Sequence, residues 1–232
     1  MYFTLPSIIF PLFLSFYLYD RFRKQKYRNS STFYWFLGFL TLSLTAIFHS
    51  AYAGGLLSGF NYQIFYFIRA LMFIVGIIFF YLGVIRLISA SLVLKILVPV
   101  FALAFTVSSI VYALFVMDNF KLATLFGLFI LIVPLEVVMA ILFILLYSHL
   151  AFIRDGYRSN LGPLLIALGW LFHALAMSWL YFFLDQPGME KWLLIINIPT
   201  IFWVVGLVML ERETKKVFNI KLRIHGLKKK EE

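Results

Sequence analysis

Residues 122–148 read LATLFGLFILIVPLEVVMAILFILLYS and hold one charged side chain, Glu136, in twenty-seven positions. An α-helix rises about 1.5 Å per residue, so roughly 20 apolar residues cross the ~30 Å hydrocarbon core of a bilayer. A helix on the surface of a soluble protein needs one apolar stripe and a polar opposite face. This stretch is apolar all round, which is the pattern of a membrane span.

Six more stretches of the same kind flank it, at about 4–19, 33–57, 62–85, 92–117, 161–184 and 191–210. Over all 232 residues, 63% are hydrophobic, 20% aromatic and only 13% charged, with a mean hydropathy of +0.98. Soluble domains have about 45–50% apolar and about 25% charged residues, so too little polar surface is present to cover a globule in water. The absence of cysteine excludes a disulfide scaffold. The 28 Phe, 13 Tyr and 5 Trp exclude a disordered tail protein.

The net charge of +10 would suit nucleic acid, but its distribution does not. Seventeen of the twenty Lys and Arg fall on one side of the predicted spans, two fall on the other, and Arg69 lies within a span. The seventeen include Arg21, Arg23, Lys24, Lys26 and Arg28 after the first span and eight residues from Arg212 to Lys230. The opposite loops carry Lys121, Lys191, Asp118, Asp185 and Glu190. Basic residues favour the cytoplasmic side of a membrane. The first stretch does not read as a cleaved signal peptide, because its basic cluster follows it instead of preceding it.

The expected fold is therefore all-α: a polytopic seven-transmembrane-helix bundle over 1–210, N-terminus outside, followed by a basic cytoplasmic tail at 211–232. The expected location is the cell membrane, multi-pass, with the lipid bilayer as surroundings and no nucleic-acid partner. The tail suits either anionic lipid or a cytoplasmic protein partner.

Helices in lipid associate through small residues that permit close approach. Gly162, Gly169 and Ala176 form one stripe, Gly76 and Gly83 a second, and Gly38, Thr41 and Thr45 a third. Pro99, Pro134 and Pro199 lie inside spans, where each removes a backbone hydrogen bond.

Polar residues inside spans are costly, so they mark candidate sites. These are His49 with Tyr52 on the second span, Arg69 with Tyr66 on the third, and Glu136 on the fifth. His173 with Trp170 lies on the sixth, and Asn197 with Thr200 on the seventh. At about 1.5 Å per residue, Asn197, Arg69, His49, His173 and Glu136 lie ~9, ~10, ~12, ~16 and ~21 Å from the outer helix ends. That clustering predicts a polar pocket in the outer half, with Arg69 as the internal partner of Glu136, directly or through a histidine. The two histidines also raise bis-histidine haem, which needs both imidazoles facing one iron; otherwise no cofactor or metal is expected.

Tyr66-Phe67-Ile68-Arg69 resembles the Tyr-x-x-Arg of the third helix of microbial rhodopsins. The likeness stops at Met72, where that family has its counter-ion, and no lysine lies inside the seventh span for a retinal Schiff base. The span count resembles the SWEET sugar transporters, without their matched prolines in both halves. The architecture alone resembles the seven-helix sensory modules of prokaryotic kinases. No paired carboxylates, His-Glu-x-x-His run or Gly-x-Ser-x-Gly elbow points to an enzyme. The reading that follows is a non-catalytic sensor or receptor-like module for a small or lipid-like ligand. A small-solute or proton-coupled transporter and an electron-transfer or accessory subunit of a membrane complex are the alternatives.

Overall fold

The structure, a computed structural model, describes residues 5–25, 30–57, 59, 61–87, 93–153, 161–182 and 198–210. All the regular structure among them is helical. The helices are α1 (Leu5–Lys24), α2 (Ser30–Ala53), α3 (Tyr62–Leu87), α4 (Val93–Val116), α5 (Phe120 to Ile153), α6 (Gly162–Phe182) and α7 (Ile198–Leu210). Five of them, α2 to α6, are long and apolar enough to cross a membrane. The first predicted span forms a helix that is less apolar, interrupted by Pro6, Pro11, Ser7 and Ser15. It runs past the predicted end at 19 as far as Lys24, whose ammonium bonds Asp20 at 2.5 Å. That bond, with Arg23 nearby, holds the Asp20 carboxyl below the usual carboxylate range. Of the seventh predicted span, 198–210 is helix, while 191–197 and the tail 211–232 lie outside the described residues.

The predicted small-residue stripes become seats for aromatic rings. A Cβ on Gly83 would run into the Trp35 indole of α2, and one on Gly38 would lie 2.8 Å from the Phe80 ring of α3. Gly169 of α6 does the same for Trp203 of α7, at 2.6 Å. The α2–α3 contact is also tied by the buried Ser31 hydroxyl, which donates to the Gly83 carbonyl at 2.6 Å. Around these seats Trp35, Phe39, Phe80, Phe143, Trp170 and Trp203 form one ring cluster with centroids 4.5 to 6.3 Å apart. Such tilted and edge-on pairs are worth about 0.5–1.5 kcal/mol each beyond their burial.

Most small hydroxyls on these helices are satisfied locally, the buried Thr106 hydroxyl of α4 being an exception. Thr41, Ser43, Thr45, Ser50, Ser109, Ser148 and Ser178 each donate to the carbonyl four residues back. Apolar surroundings demand that arrangement, because an unmatched hydroxyl has no water to turn to.

Two prolines are absorbed without breaking their helices. Each is preceded by a π-helical turn, Val93–Leu97 before Pro99 and Phe126–Ile132 before Pro134. Pro134 has no N–H for the carbonyl of Ile130, and its ring would crowd that oxygen. Widening the turn moves the clash aside: the Val133 N–H reaches the Leu128 carbonyl, five residues back. A third wide turn closes α4, where the Met117 N–H donates to Tyr112 at 3.1 Å. Asp118 then turns the chain with φ +48°, and Asn119 caps α5 by accepting from the Leu122 N–H at 3.0 Å.

The glycine seats can be tested by substitution. Gly83→Ala forces the indole of Trp35 to move and is expected to cost about 1–3 kcal/mol, the range for overpacking. Gly76→Ala meets only ordinary contacts at 3.5 Å or more on the same helix and is expected to leave stability unchanged or slightly raised. Thermal unfolding of the two variants in one neutral detergent compares them directly.

Candidate functional site

The wide turn ahead of Pro134 sets the azimuth of the residues that follow it on α5. Glu136, two positions on, is fully buried and faces α6. There its Oε1 lies 2.7 Å from Nδ1 of His173, itself 4% exposed. The imidazole is seated between the Phe73 ring of α3 (centroids 6.4 Å apart, 17° between planes) and the Trp203 ring of α7 (5.5 Å, 42°). Trp170, one turn before His173, packs on Trp203 at 4.5 Å. Helices α3, α5, α6 and α7 therefore meet at this pair.

The expected partnership of Arg69 with Glu136 is not what the structure has: Glu136 is bonded to His173. The reason is depth. Tyr66 of α3 bonds Thr124 of α5 at 2.8 Å, which aligns the two parallel helices. From that level Arg69 is three residues on and Glu136 twelve, leaving about 13 Å of helical rise between them. No side chain of either type spans that distance along a packed interface.

The remaining candidates fall into a second cluster, at the end of α3 that carries Tyr62. Tyr52 of α2 stacks on Phe65 of α3 at 3.7 Å and 13°, and the His49 ring lies 6.3 Å from the same phenyl. Tyr66 and Tyr62 both pack on Phe120 of α5, at 4.5 and 5.5 Å. Arg69 is half-buried beside them, within electrostatic reach of His49, Tyr62 and Tyr66. The two histidines thus sit against rings eight residues apart on α3, about 12 Å of rise.

Thr200 is buried on α7 one turn before Trp203, and Asn197 lies outside the described residues. Sequence reasoning missed Trp203 and Phe73, the two rings that flank the imidazole. The sequence does carry a signal for Trp203, which stands one turn beyond Pro199 and Thr200.

Chemically, the buried pair places a carboxyl oxygen and an imidazole nitrogen where they can share one proton. A bond of this kind is about twice as strong as one between neutral groups. Glu136 Oε2 is buried with no hydrogen-bond partner, and so are the indole nitrogens of Trp35, Trp170 and Trp203. Because the carboxylate is tied at one oxygen only, the pair has an alternative open to it when a proton is added or removed.

The pair's structural share is measurable. Glu136→Gln keeps an acceptor for His173 Nδ1 and is expected to change stability by less than about 1 kcal/mol. Glu136→Ala leaves the imidazole unmatched and is expected to cost about 1–3 kcal/mol, read by thermal unfolding in detergent.

Compared with known proteins, the chain matches no family model, no curated protein and no solved structure.

Proposed function

We propose that the chain is a seven-span protein of the cell membrane, N-terminus outside and tail 211–232 in the cytoplasm, acting as a non-catalytic sensor or receptor-like module. The seventeen-to-two division of Lys and Arg supports the orientation. A small or lipid-like ligand binds at the outer cluster of His49, Tyr52, Tyr66 and Arg69. The Glu136–His173 pair is the switch, replacing the Arg69–Glu136 switch that the sequence suggested. The output is a shift of α5 and α6 read by a separate cytoplasmic protein or membrane complex.

The observation that carries this reading is the 2.7 Å bond between two buried ionisable groups on different helices. A sensor needs an element with two arrangements whose balance a ligand biases. The bond supplies one: intact with a single shared proton, broken when a second proton arrives or the last one leaves. The π-helical turn just before it supplies the mechanical part, since such turns interrupt the α-helical register and recur at functional sites.

The chain has no cysteine, so a single introduced thiol reports cleanly. Ser148→Cys, exposed near the far end of α5, is expected to show in liposomes a labelling rate that, once divided by the thiolate fraction, still depends on pH with one transition. Adding Glu136→Gln is expected to flatten that transition. Equal, pH-independent corrected rates in both backgrounds would sink the switch.

The same hydrogen bond also favours a second reading, a proton-coupled carrier with Glu136 and His173 as the titrating pair. Proton flux through proteoliposomes that vanishes with Glu136→Gln establishes the carrier and removes the sensor.

A further inference from the structure

The three acids among the described residues are all taken, and none is taken by Arg69. Asp20 bonds Lys24 and Arg23 at the end of α1, and Glu136 bonds His173. Asp118 accepts from Gln63 Nε2 at 2.7 Å. Among the described residues Arg69 has neither an ion pair nor a hydrogen bond, although it is half-buried about 10 Å along α3 from Tyr62. A guanidinium held at such depth without a counter-charge is costly.

Its neighbours are rich in donors and poor in acceptors. His49 Nδ1 is buried with no partner. The Thr124 hydroxyl donates its one proton to the Phe120 carbonyl at 3.0 Å, so the Tyr66 phenol must be the donor in its 2.8 Å bond to Thr124. The donors left over are the guanidinium of Arg69 and the imidazole of His49 as its Nδ1–H tautomer. Around them stand the rings of Tyr52, Tyr62, Phe65 and Phe120.

We infer that this cluster is a binding site for an oxyanion, a carboxylate or phosphate group, gripped by Arg69 with His49 as second donor. The planar guanidinium presents paired N–H groups that match two oxygens of such an anion. The aromatic wall takes the apolar remainder of the same molecule. The inference rests on the outer cluster being the ligand site of the proposed sensor and names the chemistry of its ligand. An anionic lipid headgroup and a free organic or inorganic anion share that chemistry.

The test uses the purified full chain in a neutral detergent at constant ionic strength. Inorganic phosphate and benzoate, each against chloride, are expected to raise the unfolding temperature saturably. Nanodiscs of phosphatidylcholine with and without phosphatidylglycerol supply the second arm. A response to soluble anions identifies a free ligand; a response to phosphatidylglycerol alone identifies the headgroup. Arg69→Gln is expected to weaken the interaction about 10- to 100-fold, the range for a charged hydrogen-bond partner. If that variant does not fold, Arg69→Lys keeps the charge, loses the fork and is expected to weaken it about 10-fold. His49→Phe is expected to lose about 3- to 10-fold.

No saturable response to any of these anions overturns the inference, as does a response that survives both Arg69 variants. It is also overturned if Asp185→Asn with Glu190→Gln lowers the unfolding temperature and Arg69→Gln lowers it equally, because the counter-charge then belongs to the chain itself. Anion binding that leaves Ser148→Cys labelling unmoved keeps the site and removes the sensor. Labelling that follows pH in a protein without anion affinity does the reverse.

Discussion

The hydrogen bond between Glu136 and His173 constrains this bundle more than any single apolar contact does. Either group alone, in surroundings this apolar, would leave an ionisable atom with nothing to bond. Together they satisfy one another, provided that α5 and α6 present them on facing sides at one level. That condition fixes the rotation of both helices, and a rotation error of one residue would turn Glu136 about 100° away from α6. Pro134, two residues upstream, sits where such an error would arise. The π-helical turn before it absorbs the missing N–H and leaves Glu136 aimed at the imidazole.

The packing around the pair follows a different rule. Apolar side chains gain little by leaving lipid for one another, so the close fit of ring against glycine does the work that hydrophobic burial does in water. Trp35 on Gly83, Phe80 on Gly38 and Trp203 on Gly169 are three instances of that fit. This fit has a polar consequence. The Trp35 and Trp203 indoles press on glycine backbone and leave their N–H groups without acceptors, and Trp170 beside them does likewise. Shape has been favoured over hydrogen bonding at these rings. The Glu136–His173 bond is consequently the principal directional contact in a region otherwise held by shape.

Much of this was legible in the sequence, and what was not has a physical explanation. Long apolar runs mark helices because nothing else satisfies the backbone in lipid, and the described helices lie where those runs predict. The glycine stripes were readable as close-approach faces; which ring each would receive was not, since that depends on the partner helix. His49, Tyr52, Tyr66, Arg69, Glu136, Trp170 and His173 were identifiable by type. Their division into two clusters was not, because depth estimates from helix ends ignore the register between helices. Arg69 and Glu136 looked like partners on charge alone. The Tyr66–Thr124 bond sets the α3–α5 register and separates them. The preference of an acid for the nearest histidine on an adjacent helix then decided the pairing.

The two clusters, though separated, share one helix. Helix α3 touches both: Phe65 carries the His49 and Tyr52 rings, and eight residues on Phe73 carries the His173 ring. A rigid helix transmits a translation or rotation along its whole length, whereas a loop would dissipate it. A displacement of α3 at Phe65 therefore arrives at Phe73 as a displacement of the ring against which the imidazole is stacked. The bond at 2.7 Å is short, and a hydrogen bond weakens steeply as its geometry departs from linear. A shift of the Phe73 ring thus changes how well the carboxylate and imidazole share their proton. By the same linkage, a change in their protonation would alter the position of α3 at the cluster of His49, Tyr52 and Arg69. The two clusters need no direct contact to be coupled. They need only the one stiff helix that both are packed against.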